Sequence, residues 1–174
     1  LYNTGYCRLD SLISSAPTVP SNHGGPPKVL LAPTWGPSSL IEFGIDQIIR
    51  NLLDSSIQVV LRFHPMSLRH HNDIHHQFSE LFGDHPLFTL DNSFSSSATL
   101  LESDLIVSDW SGAAHDFALG LLRPAIFMDT PQKAHNNTYP QLDIECYEDV
   151  VREELGALVS LHQADSLPDV VNSL

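Results

Sequence analysis

Short apolar runs alternate along this chain with stretches whose apolar residues recur every three or four positions. Val29-Leu30-Leu31-Ala32 is too short for a helix and reads as a buried strand. Ser39-Leu40-Ile41-Glu42 has the form of a capping box, Ser followed three residues later by Glu. From it a helix should continue through Ile45, Ile48, Ile49, Leu52 and Leu53, which keep helical spacing. Residues 57–63, rich in β-branched side chains, predict a second strand, stopped by His64-Pro65. Residues 73–82 predict a helix with Ile74, Phe78, Leu81 and Phe82 on one face. A third strand over 87–90, a brief helix over 97–102 and a fourth strand over 105–107 follow. Residues 112–122 then read as a helix, 124–128 as a fifth strand, 130–146 as irregular and 147–155 as helical, and a last helix near 167–171 closes the pattern. Ahead of all this, residues 9–15 suit a short helix, and 16–27 are rich in Pro, Gly and Ser, which marks an exposed linker. Strands alternating with helices of this length imply βαβ units. The expected fold is α/β, a Rossmann-like parallel sheet with helices on both faces, with residues 1–27 as a lead-in and 28–174 as the folded domain.

Composition narrows the partners. The 174 residues suit one domain, and 42% apolar content is enough for a core. Against 21 Asp and Glu stand 8 Lys and Arg, a formal charge of −13, which excludes the broad basic surface that nucleic-acid binding requires. Any phosphate must be held locally, by helix ends and a few placed cations. Cys7 and Cys146 stand alone without CxxC spacing, so a reducing, cytoplasmic compartment is expected. No apolar run reaches the ~20 residues that span a bilayer, and no signal peptide is visible. The chain begins with Leu1 rather than Met, and the expectation is an excised domain or a trimmed fragment, in which an active site shared with a missing domain would be only half present.

Ligands of open parallel sheets bind outside the carboxyl ends of the strands, where the winding reverses. With the order 3-2-1-4-5, strands one and four are neighbours at that point. The loop after strand one carries Thr34 and Trp35, strand two ends in Arg62-Phe63-His64-Pro65, and the loop after strand four is Ser108-Asp109-Trp110-Ser111-Gly112. A helix opening at Ser111 and Gly112 presents unpaired N–H groups and a partial positive charge to a phosphate. Each residue also has a plainer reading. Ser111 could be a helix cap alone, and Gly112 could serve close passage of the turn. Asp109 could cap the same helix or orient a neighbouring loop, which is favoured over direct phosphate contact because like charges repel. His64 could be a polar strand end, or its imidazole could bond or protonate a leaving phosphate. Arg62 could pair with an acid on a neighbouring strand. Trp35 and Trp110 could be packing or stacking residues.

Other constellations carry less. His71 and His75 share i,i+4 spacing beside His70 and His76, but no further ligand supports a metal, and none is expected. Neither G-x-S-x-G nor GxGxxG nor a Walker A pattern is present, so an acyl-enzyme serine, an NAD site and a P-loop have no support. The acidic run Asp143, Glu145, Glu148, Asp149, Glu153 and Glu154 reads as a solvated helix face.

Five segments occur in one order: Gly5-Tyr6-Cys7-Arg8-Leu9-Asp10, Ala32-Pro33-Thr34-Trp35, Arg62-Phe63-His64-Pro65, Ser108-Asp109-Trp110-Ser111 and Arg123-Pro124-Ala125-Ile126-Phe127. Together, over roughly residues 1–140, they resemble the CDP-glycerol glycerophosphotransferases, the teichoic-acid polymerase and primase family. The resemblance implies a GT-B architecture, two Rossmann-like domains around a cleft. This chain would be the C-terminal, donor-nucleotide half, with residues 1–27 as the crossing from an N-terminal acceptor domain. It implies a CDP-linked donor, no cofactor, His64 as the catalytic or phosphate-contacting histidine, and Asp109, Ser111 and Gly112 as the diphosphate cradle. Thr34, Trp35, Arg62 and Trp110 complete the expected substrate-binding set. The expected setting is bacterial cell-envelope synthesis at the inner face of the membrane, with any membrane attachment and the general base supplied by other regions. Trp110 stands where the family carries Tyr, and Cys7 where it carries Pro, which marks a divergent branch. A UDP-linked glycosyltransferase or 2-epimerase, which also carries an Arg-x-His-Pro turn, and a non-catalytic nucleotide-binding module remain open.

Overall fold

The structure is a computed structural model and describes residues 2, 5–16, 24–71, 73–93, 97–133, 136 and 138–174. Six parallel strands form one sheet: β1 (Lys28–Leu31), β2 (Gln58–Leu61), β3 (Phe88–Leu90), β4 (Leu105–Ser108), β5 (Ala125–Asp129) and β6 (Gly156–Ser160), in the order β3-β2-β1-β4-β5-β6. The winding reverses between β1 and β4, as the pattern predicts.

The strands read as continuous apolar runs because both faces are covered. Side chains alternate across the sheet. Val29, Leu31, Val59, Leu61, Val107, Ile126 and Met128 face one core with α2 (Ile45–Asp54), α4 (Ile74–Phe82) and α8 (Leu167–Ser173). Leu30, Val60, Ile106, Ala125 and Phe127 face the other, with α1 (Cys7–Ser15), α5 (Ala98–Glu102) and α6 (Gly112–Leu121). The helix α7 (Tyr147–Leu155) leads into the edge strand β6.

Four features depart from the expectation. The helix predicted from Ser39 is two pieces. Ser39 caps a 3-10 turn, Leu40–Phe43, by accepting from the Ile41 N–H rather than from that of Glu42, and Gly44 at φ 82° breaks it before α2 starts. Glycine adopts that left-handed backbone without strain. The capping box is not formed, because the Ser39 hydroxyl takes the Ile41 N–H and the Ser39 N–H goes to the Gly36 carbonyl. Second, His64-Pro65 does not merely stop a strand. His64 caps a short helix, α3 (Pro65–His70), with Pro at its first position. Third, β6 and the 3-10 turn Leu161–Ser166 after it were not anticipated. Fourth, the lead-in is not wholly an exposed linker. Leu12 of α1 is buried, a Cβ on Gly120 of α6 would sit 3.2 Å from it, and Arg8 forms an ion pair with Asp116. Much of the expected linker, residues 17–23, lies outside the described residues.

Gly156 is extended, so its need is for space. A Cβ there would meet the Ala125 carbonyl oxygen at 1.9 Å. Gly156→Ala must push β6 off β5, and a cost of about 1–3 kcal/mol is expected. It would be read as a lowered urea midpoint at unchanged m-value.

Candidate functional site

Three loops meet above the carboxyl ends of β1, β2 and β4, and a buried acid joins two of them. Asp109 is 0% exposed. Its Oδ1 accepts from the Thr34 N–H at 2.8 Å and its Oδ2 from the Leu40 N–H at 2.7 Å. Burial pushes its carboxyl above the usual range, against the pull of the Leu40, Thr34 and Trp110 N–H groups. The Ser108 hydroxyl donates to the Ala32 carbonyl at 2.6 Å, and the Ser39 hydroxyl to the Thr34 carbonyl at 2.8 Å. Asp109 thus orients the neighbouring loop, the role the sequence favoured, and both its oxygens are taken by backbone.

Ser111 caps α6, its Oγ accepting from the Ala113 N–H at 3.4 Å. Gly112 is exposed, and a Cβ there would meet nothing within 4 Å, so the space over this helix start is open.

His64 is half-buried, and its Nδ1 accepts from the Met66 N–H at 3.0 Å. An accepting Nδ1 puts the proton of the neutral ring on Nε2. Burial, and then the charge of Lys133, hold its pKa below the usual value. Lys133 donates to the Thr34 hydroxyl and lies 4.8 Å from the centre of the Trp35 ring. Trp35 in turn stacks beside His64, with ring centres 6.2 Å apart. Thr34, Trp35 and His64 are therefore brought together, with Lys133 as a fourth member that the sequence reading missed. Its signal was scarcity: Lys28 and Lys133 are the two lysines of an acidic chain, and Lys133 follows the carboxyl end of a strand.

Arg62 is committed sideways. Its Nε donates to Asp91 Oδ2 at 2.6 Å, and its guanidinium also reaches Thr99. Burial alone would raise the Asp91 carboxyl, but the hydrogen bonds from Ser93, Thr99 and Arg62 outweigh it and hold the carboxyl below the usual range. Of the two readings of Arg62, pairing with an acid beside a neighbouring strand is what the structure shows. Trp110 faces the far side of the crest, where its Nε1 donates to the Thr130 carbonyl at 3.0 Å and the Arg152 guanidinium lies 3.7 Å from its ring centre.

The four histidines do not share a helix. His70 ends α3, His71 follows it, and His75 and His76 open α4. Among the described residues no three His, Cys, Asp or Glu groups converge as a metal site. The acidic run is also not uniformly solvated: Glu148 is half-buried and accepts from the Cys146 thiol at 2.9 Å. Among the described residues no helix is long and apolar enough to cross a membrane.

Two expectations follow from these contacts. Asp109→Asn places an amide N–H₂ against a backbone N–H, and a loss of about 1–3 kcal/mol in urea unfolding is expected. For His64, an NMR titration should give an apparent pKa below 6.5. Lys133→Met should raise it only part of the way, because burial is the larger cause. With a depressed folded value, the unfolded chain takes up the proton first as pH falls through 6.5, so His64 lowers stability on the acid side.

The fold is similar to that of two glycosyltransferases and a sugar-nucleotide epimerase. The E. coli heptosyltransferase WaaC with ADP is 17% identical, with a TM-score of 0.59 over 95% of this chain and 48% of that one. The UDP-GlcNAc 2-epimerase of Methanocaldococcus jannaschii, in complex with UDP-GlcNAc and UDP, is 13% identical, with a TM-score of 0.53 over 95% of this chain and 41% of that one. The C-terminal domain of a group 1 glycosyl transferase, LpcC of Francisella tularensis, is 11% identical, with a TM-score of 0.51 over 91% of this chain and 83% of that one. The chain has the Rossmann-like α/β fold of GT-B glycosyltransferases and spans less than half the length of the first two. No curated protein matches it. Residues 1–167, nearly the whole chain, match the family model for CDP-glycerol:poly(glycerophosphate) glycerophosphotransferase, and the chain belongs to that family.

Proposed function

We propose that this chain is the donor-nucleotide domain of a transferase that moves glycerol phosphate, or a similar polyol phosphate, from a CDP-linked donor to an acceptor hydroxyl. The acceptor would be a cell-surface polymer or glycolipid at the inner face of the cell membrane. The observation that carries the reading is the crest itself. The open start of α6 at Ser111 and Gly112, the Lys133 ammonium beside Thr34 and the His64 ring share one sheet edge of a chain with net charge −13. Such a crest holds a diphosphate locally without a basic surface.

The reaction is an in-line displacement. The acceptor oxygen forms a bond to the donor's glycerol-bearing phosphorus, the bridging P–O bond breaks, and CMP leaves with the electron pair. Charge grows on the CMP phosphate, where the N–H groups of α6 and Lys133 stabilise it. His64 offers its Nε2–H as a hydrogen bond or a proton to the leaving oxygen. Catalysis is positioning and preorganised electrostatics, with no covalent intermediate. The acceptor's proton goes to a base outside these residues, in the acceptor domain. Residues 1–174 alone would bind nucleotide and turn over little.

A UDP-linked glycosyltransferase or 2-epimerase is the second reading, favoured by the UDP-GlcNAc and UDP found in this fold in the M. jannaschii protein. Titration of the intact protein with CDP and UDP separates the two, and CDP is expected to bind more tightly. Preference for UDP would sink the glycerophosphotransferase reading. His64→Ala in the intact protein should lower kcat by about 10²–10⁴-fold with a smaller change in CDP affinity. Unchanged activity would leave a non-catalytic nucleotide-binding module.

A further inference from the structure

On the face of the sheet that α2 and α4 cover, a cavity of about 410 Å³ lies between the loop after β1 and α3. Trp35, Gly36, Glu42, Ser67, His70 and His71 line it, among others. A second cavity, of about 640 Å³, continues it between the starts of α2 and α4 and shares Glu42, His70 and His71 as lining. Both volumes fall in the range of small-ligand sites. Trp35 belongs to the cavity and to the crest. Its ring centre lies 5.8 Å from that of His70 and 6.2 Å from that of His64.

One polar group of this space is unsatisfied. Ser67 is 2% exposed, and among the described residues its hydroxyl has no hydrogen-bond partner. A buried hydroxyl left unpaired is costly, and in a native fold it points to a partner that the protein itself does not supply. The other polar groups set the chemistry of that partner. The Glu42 carboxylate stands 3.7 Å from His71 Nε2, and both side chains are about half exposed. Asp46, Asp73 and Gln77 line the adjoining cavity. Among the described residues neither cavity is lined by Lys or Arg. Three carboxylates without such a cation beside them disfavour a phosphate. Carboxylates, imidazoles and a hydroxyl offer acceptors and donors at short intervals, which suits adjacent hydroxyl groups on an uncharged carbon frame.

We propose that this double cavity receives a neutral sugar unit of the acceptor, with Ser67 and Glu42 hydrogen-bonded to its hydroxyls, beside the crest that holds the donor. The inference rests on the transferase reading above and narrows it. The part of the acceptor that this chain recognises is an uncharged glycan, and a polyol-phosphate chain end is disfavoured there.

The test is calorimetric titration of the intact protein, with CDP saturating so that the crest is filled. The probes are N,N′-diacetylchitobiose, a neutral disaccharide, and glycerol 3-phosphate, a polyol carrying phosphate. The disaccharide should bind at least about tenfold more tightly, because like charges oppose the phosphate. Ser67→Ala should weaken the disaccharide by about two- to tenfold and leave CDP affinity unchanged. Without sugar, the same variant should keep or raise the urea midpoint, since the hydroxyl it removes has no partner. Glu42→Gln should weaken the disaccharide and narrow its lead over glycerol 3-phosphate. No disaccharide binding to a CDP-bound protein overturns the site and leaves the donor reading standing. Glycerol 3-phosphate binding as tightly as the disaccharide overturns the neutral assignment. Disaccharide binding unmoved by both variants places the sugar elsewhere and overturns the site. A Ser67→Ala variant that lowers the urea midpoint without moving sugar affinity shows a hydroxyl held by structural water only, with the same result. If the protein binds neither CDP nor UDP, the donor reading itself falls.

Discussion

The carboxylate of Asp109 sits where two crossing directions of the sheet separate, and it is the tie between them. β1 and β4 are adjacent in the sheet but far apart in sequence, and their loops diverge at the carboxyl edge. One oxygen of Asp109 takes the N–H at Thr34 and the other the N–H at Leu40, across 75 and 69 residues of chain. A buried acid with two backbone donors is costly to leave half-satisfied, so the loop from 33 to 39 has little freedom to move. Thr34, Trp35 and the space over α6 take their relative positions from it. The acid of the Ser-Asp-Trp-Ser turn thus shapes the crest from below.

The chain's charge makes the placement of its few cations informative. Arg62 braces Asp91 and Thr99. Arg123 donates to the carbonyls of Leu101 and Ser103 at 2.7 and 2.6 Å, closing the end of α5. Arg8 holds Asp116, and Arg152 lies on Trp110. These four arginines are engaged in architecture, whereas the Lys133 ammonium reaches the crest through the Thr34 hydroxyl. A compact anion at that point would meet a local positive field on a chain of net charge −13.

What was legible in the sequence follows from burial. β1, β2, β4 and β5 lie inside the sheet, covered on both faces, and their apolar runs are unbroken and easily found. β6 is an edge strand in which Val159 alone is fully buried, and it follows α7 directly at Gly156 with no turn residues to announce it. Helix α3 was hidden by Pro65, because a proline that stops a strand is written identically to one that starts a helix. At the crest, the residue types pointed to three loops that the structure brings to one sheet edge, since loop chemistry is local. The direction of each side chain was not readable. Arg62 turns to the sheet edge and Trp110 to the far side of α6, and both choices depend on partners, Asp91 and Arg152, that lie 29 and 42 residues away in sequence. Lys133 was missed for a related reason: scarcity marked it, but only folding brings it to Thr34 at the crest.

The cap on α3 carries a consequence for the chemistry of His64. Its Nδ1 is occupied by the first turn of a helix, so the main chain fixes which nitrogen bears the proton. The ring is therefore one-sided. It can hand a proton outward from Nε2, but it cannot pass one through from behind, because the rear nitrogen would have to release the Met66 N–H and loosen the turn that Pro65 begins. A reaction at this crest that needed a through-ring relay would have to unwind α3 at every turnover. One that needs a single donation to a departing oxygen finds the tautomer already chosen by the backbone.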